Sequence, residues 1–103
     1  MKVIKVNKDS FNDEVLNSKI PVIVDFNADW CGPCKMLGPI LESVAESRDD
    51  MKFVSVNIDE EEDLATEYNV FSIPCLVYIK DGKEIKRNVG LLSKSDLEKF
   101  IEE

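Results

Sequence analysis

Two cysteines with two residues between them, Cys31 and Cys34 in the stretch DWCGPCK (29–35), are the side chains of this chain best suited to chemistry. Cysteines at this spacing can hold a metal ion, form a structural staple, or exchange electrons. The chain contains no histidine. That excludes a Cys–His nucleophile pair and a Cys₂His₂ zinc site. There is no second Cys-x-x-Cys to complete a Cys₄ site, since Cys75 is the one cysteine left over. Lys35 follows Cys34 where attached c-type haem needs a histidine. An iron–sulfur centre lacks its fourth thiolate unless two chains share the cluster. Redox exchange is what remains.

Composition narrows the setting. A chain of 103 residues is one domain, residues 1–103, large enough to bury a core without staples. Apolar residues make up 44% and charged residues 33%, an ordinary globular balance. The net charge of −8 repels phosphate backbones and anionic membranes, so nucleic acid and membrane are not expected partners. The first residues, MKVIKVNKDS, alternate polar and apolar and show no apolar core of a signal peptide. No run approaches the ~18 apolar residues of a membrane span. The expectation is a soluble, cytoplasmic protein, in which three cysteines point to catalysis or metal rather than to staples.

The elements that must position the pair can be read from periodicity. VIKV near the start reads as a strand, and KDSFNDEVLNS as a helix with Phe11, Val15 and Leu16 on one face and Ser10 as its cap. PVIVDFNA is a nearly continuous apolar run, as in a strand buried on both faces. From Cys34 to Arg48 apolar residues recur at helical spacing, with Pro39 inside the helix and expected to kink it. MKFVSVNI reads as a strand and EEEDLATEYN as a short helix with an acidic start, whose run 59–63 is most simply a solvated surface. CLVYI and EIKRNV form a hairpin with Asp81-Gly82 at its tip. SKSDLEKFIEE closes the chain as a helix capped by Ser93. The order β-α-β-α-β-α-β-β-α implies a three-layer α/β/α sandwich: a mixed sheet of about five strands with four helices, parallel early and antiparallel at the final hairpin.

DWCGPCK therefore lies just past the carboxyl end of the buried strand and at the start of the long helix. Open α/β sheets place their chemistry there. Unpaired N–H groups and the positive end of the helix dipole favour a thiolate, the nucleophilic form. Cys31, ahead of the first turn, should be the more exposed thiol. Cys34 returns to the same side, so the sulfurs can bond. Gly32 lets the backbone turn, and Pro33 gives up an N–H that has no partner at a helix start. Asp25 sits in an apolar strand, where a carboxylate is costly without a partner or a job.

Three segments together resemble the thioredoxin family over essentially the whole chain. They are VDFNADWCGPCK with Asp25 ahead of the cysteines, FSIPCLVYIKDGKEI with Pro74, and VGLLSKSDLEKFI with Gly90. The resemblance implies a general protein disulfide reductase in which Cys31 attacks a substrate disulfide and Cys34 resolves the mixed disulfide. It implies that Asp25 accepts the proton of Cys34 through water, and that Pro74 is cis, with its backbone against Cys31. Trp30 would shield the disulfide and share an apolar docking surface with Pro33, Ile73, Pro74, Gly90 and Leu91. Lys35 belongs to the same active-site loop. The partners implied are disulfide-containing proteins and a thioredoxin reductase, an NADPH-dependent flavoprotein in most relatives; the chain is expected to be a monomer. It has no Gly-x-Gly-x-x-Gly, so no bound cofactor is expected beyond the Cys31–Cys34 disulfide itself.

Asn27 stands where many relatives have a large, often aromatic residue, which implies looser packing beside the site. Ser55 replaces a lysine that many carry near the buried acid, and Cys75 replaces a threonine. Two other readings stand beside the reductase. One is a thiol oxidase or isomerase on the same fold; oxidants stabilise their reduced thiolate strongly, and uncharged Gly32-Pro33 argues against that. The other is a non-enzymatic subunit that binds a partner through the same apolar surface. For Cys75 the reading is a small buried hydrophobe, set against a third exchanging thiol.

Overall fold

Strand β2 (Val22–Asn27) runs through the middle of the sheet, and five of its six residues are buried. Its neighbours are β3 (Lys52–Asn57), which is parallel, and β4 (Cys75–Lys80), which is antiparallel. β1 (Val3–Lys5) adds in parallel outside β3, and β5 (Lys83–Val89) pairs antiparallel with β4 at the other edge. The spatial order is β1-β3-β2-β4-β5, the mixed sheet expected. The molecule is known from a computed structural model that describes residues 2–102.

Strand alternation divides the apolar residues into two cores. Val22, Val24 and Phe26 face one way and pack with Phe11 of α1 (Lys8–Phe11) and Leu64 of α3 (Glu62–Glu67). Ile23 faces the other way and packs with Leu37 and Leu41 of α2 (Gly32–Glu46) and Leu97 and Ile101 of α4 (Lys94–Ile101). Each fully buried aliphatic or aromatic side chain contributes about 1.5–3 kcal/mol of transfer free energy, so a central strand with no wet face anchors both layers.

The first helix departs from expectation at both ends. Its cap is Asn7, not Ser10. Asn7 Oδ1 accepts from the N–H groups of Asp9 and Ser10, both at 2.9 Å, while Ser10 Oγ accepts from the Asn7 N–H at 3.1 Å. Ser10 is thus the reciprocating third residue of a capping box. Beyond Phe11 the helix widens into a π-helical segment, Asn12–Leu16, closed by the Asn17 N–H on the Asn12 carbonyl at 2.8 Å. The acidic helix α3 begins at Glu62, inside the acidic run and two residues later than expected. The last helix ends at Ile101; Glu103, included in its expected span, lies outside the described residues. Ser93 caps it as expected, accepting from the Asp96 N–H at 3.1 Å.

The β4–β5 hairpin turns at Asp81 (φ 54°) and Gly82 (φ 77°), both left-handed, which matches the twist of the flanking strands. A Cβ on Gly82 would sit 3.2 Å from the carbonyl oxygen of Leu16. Gly82→Ala should therefore destabilise the protein by about 1–2 kcal/mol or more, through left-handed strain plus this contact, with the midpoint of urea unfolding as the measure.

Candidate functional site

Helix α2 starts at Gly32 because Cys31 is its N-cap, with extended backbone (φ −91°, ψ 110°). The Cys31 sulfur accepts a hydrogen bond from the Cys34 N–H at 3.2 Å. A sulfur thus does the work that a serine or aspartate oxygen does at most helix starts. Pro33, in the first turn, removes an N–H with no helical acceptor. Cys31 and Cys34 are bonded as a disulfide, with Cα atoms 5.2 Å apart.

The expectation that Cys31 is the more exposed of the two is corrected. Cys31 is 5% and Cys34 6% exposed. The bonded sulfurs cover one another, and Ala28, Ile58 and Ile73 pack against the pair. What separates the two thiols is the hydrogen bond: Cys31 is the one aimed at the helix's free N–H groups.

Asp25 lies on β2, 5% exposed, directly opposite Ser55 of β3. Its Oδ2 accepts from the Asn27 amide at 3.3 Å, and among the described residues Oδ1 has no hydrogen-bond partner. Burial pushes its carboxyl up to about 7, and the Asn27 hydrogen bond opposes that only in part. A cleft of about 700 Å³ between α2 and the sheet is lined by Asp25, Asn27, Ser55 and Cys34. It opens beside the short side chain of Asn27, where looser packing was expected.

Trp30, 68% exposed, donates its indole N–H to Asp59 Oδ2 at 2.8 Å. The acidic run is largely exposed, as expected, but Asp59 is a partner that the sequence reading missed, because a run of acids carries no sign of a distant indole. Glu60 pairs at the surface with Lys5 at 2.8 Å and Glu61 accepts from the Lys8 N–H at 2.8 Å. Buried Asn57 organises the start of the run, accepting from the N–H groups of Asp59 and Glu60 at 2.9 and 3.2 Å. The Ile73–Pro74 peptide is cis, and the Pro74 carbonyl accepts from the Gly90 N–H at 2.8 Å. Pro33 and Leu91 are exposed, Ile73 is half-buried and Pro74 buried. Phe71, 90% exposed and two residues ahead of Ile73, was not anticipated. A large aromatic between two short elements, in the loop NVFSIP (69–74), was the available signal. Lys35 is exposed and lines the cleft.

Cys75 is 1% exposed and belongs to the core on the α1–α3 face, with Val77 and Ile79 of its own strand. Burial pushes its thiol up, only partly offset by Arg87. Among the described residues no group of three or more histidine, cysteine or acidic side chains could hold a metal ion, and no helix is long and apolar enough to cross a membrane.

The thioredoxin family model matches residues 2–103. The chain is similar to a thioredoxin of Acidithiobacillus ferridurans, 45% identical over 101 residues, 97% of this chain and 94% of the relative. It is similar to a thioredoxin of Porphyra purpurea, 40% identical over 102 residues, covering 98% and 95% of the two chains. A mitochondrial thioredoxin of Mus musculus is 46% identical over 92 residues, 88% of this chain and 55% of its own length.

Two outcomes follow from burial at this site. Unfolded, the Asp25 carboxyl ionises near 3.8; folded, it keeps its proton to about 7. Between those values the folded protein holds the extra proton, so stability falls as pH rises through that window. The penalty is absent below the lower value and complete above the upper one. Relative to wild type, Asp25→Ala should thus gain more stability at pH 8 than at pH 4, by on the order of 4 kcal/mol, read from denaturant melts at the two pH values. In the reduced protein an alkylating reagent should modify Cys31 first and Cys75 only on unfolding, as mass spectrometry of the peptides would resolve.

Proposed function

This chain belongs to the thioredoxin family and is a thiol–disulfide oxidoreductase; we propose that it works as a general reductant of protein disulfides, with Cys31 attacking and Cys34 resolving. The observation that carries these roles is the hydrogen bond from the Cys34 N–H to the Cys31 sulfur at the start of α2. In the reduced protein the same N–H and the helix dipole support a Cys31 thiolate.

The Cys31 thiolate attacks one sulfur of a substrate disulfide. A mixed disulfide forms, and the second substrate sulfur leaves as thiolate. Cys34 then loses its proton to Asp25 through water in the cleft, and its thiolate attacks the Cys31 sulfur. The Cys31–Cys34 bond forms, the first substrate sulfur leaves, and two electrons have passed to the substrate. A carboxyl held near neutrality is suited to accepting that proton, since it is neither fully ionised nor fully protonated at working pH.

Exposed Trp30, Pro33 and Leu91, with Ile73, Pro74 and Gly90 beside them, form the surface on which an extended substrate segment docks. Gly32 and Lys35 complete the loop around the disulfide. No bound cofactor takes part, and the Cys31–Cys34 disulfide is the redox group. A thioredoxin reductase, an NADPH-dependent flavoprotein, returns the electrons. The protein acts as a monomer in the cytoplasm. The absence of charge at Gly32-Pro33 supports reduction over oxidation, because nothing there holds the reduced thiolate with the strength an oxidant needs.

Cys31→Ser and Cys34→Ser should each abolish reduction of insulin disulfides with dithiothreitol as donor. Only Cys34→Ser should accumulate a stable mixed disulfide, visible on non-reducing gels. Trapping by Cys31→Ser alone would reverse the roles, and full activity of either variant would sink the reductase reading.

A further inference from the structure

Asp25 would be the proton acceptor without a cation of its own. Lys5, Ser55 and Asp25 form one row across β1, β3 and β2. Ser55 is neutral, and Lys5, at the end of the row, is drawn off by Glu60 at 2.8 Å. From the other elements, Asp29 lines the cleft from the loop after β2, and Lys35 and Glu42 line it from α2. Glu42 Oε1 is engaged by the backbone N–H groups of Lys2 and Val3 at 3.1 and 2.9 Å. On the β4 side the residue facing Asp25 in the ladder is Leu76, which is apolar, while the Cys75 thiol feels the Asp25 charge.

What does reach the carboxylate is the Asn27 amide. Its two N–H groups are shared among three acceptors, Ser55 Oγ at 2.8 Å, the Asp25 carbonyl at 3.0 Å and Asp25 Oδ2 at 3.3 Å. Two residues along a strand place Asn27 on the same face as Asp25, and the parallel register brings Ser55 to the same point. We propose that Asn27 is a positioning residue: its amide pins the Asp25 carboxylate and ties it to Ser55, a neutral clamp that supports the charged form in the place of a cation. The inference rests on the reading of Asp25 as proton acceptor. A donor on Oδ2 leaves Oδ1 as the oxygen that receives the proton, and Oδ1 is the oxygen without a hydrogen-bond partner among the described residues.

The test is Asn27→Leu, which roughly keeps the volume and removes the donor, with Asn27→Ala as the second variant should the first not fold. The Asp25 carboxyl is titrated by ¹³C NMR in the reduced protein, and the rate of resolution of a preformed mixed disulfide is followed against pH. The titration midpoint should move to higher pH. Resolution should slow about tenfold at pH 6 and match wild type at pH 9, the scale of one hydrogen bond to a charged group. In an Asp25→Asn background the Asn27 substitutions should change nothing further. An unmoved midpoint in the folded variant overturns the clamp. A moved midpoint, with resolution insensitive to Asp25→Asn, keeps the clamp and overturns the reading of Asp25 as the proton acceptor.

Discussion

The burial of β2 on both faces is the constraint on which everything else depends. A strand with no wet side must be covered by a helical layer on each face, and its apolar side chains divide between the two cores. The strand has one end at which the chain can come out of that double cover, just past Asn27, and there the loop to α2 begins. The cysteines stand at that exit because a buried parallel strand has to hand over to a crossover helix. The helix N-terminus then supplies unpaired N–H groups at the same point. Fold and redox site are two results of one arrangement of apolar residues.

Within that strand Asp25 is the exception, and its position works against folding. A buried carboxylate with one oxygen that has no hydrogen-bond partner among the described residues is costly to fold around. Its place on the cleft beside Cys34 is where the proposed proton acceptor is needed, at the cost of part of the stability. Asn27 moderates that cost without cancelling it. A cationic partner would hold the group ionised and lower its basicity, whereas a neutral amide leaves it able to take up a proton.

Much of this was legible in the residues. PVIVDF announces a doubly buried strand, CGPC at its exit announces the redox pair, and Asp81-Gly82 announces the hairpin. What escaped depends on partners distant in sequence or on exchangeable local roles. Asn7 and Ser10 are both capping types three residues apart, and reciprocal bonding, invisible to periodicity, decides which one leads. The acidic run is exposed as it reads, but its partners, Trp30, Lys5 and Lys8, lie far away in the chain and periodicity does not reveal them. Equal burial of the two cysteines follows from the bond between them and from Ile58 and Ile73, which no helix-position argument includes. Asn27 and Ser55 stood out as departures from the family, but only the register of β2 against β3 joins them to Asp25.

The engagement of Asp59, Glu60 and Glu61 bears on how partners arrive. Free surface acids swing away and blur their own field; these three each have a partner, Asp59 the Trp30 indole N–H, Glu60 the Lys5 ammonium group and Glu61 the Lys8 backbone N–H. The charge of Glu60 is met by that of Lys5, so on a chain of net charge −8 the charge held in place here is that of Asp59 and Glu61. Its reach is about one Debye length, ~8 Å at physiological ionic strength. Charge held in place favours the approach of basic surfaces and slows acidic ones, before any side chain touches. Such steering acts on collision frequency and weakens as salt rises.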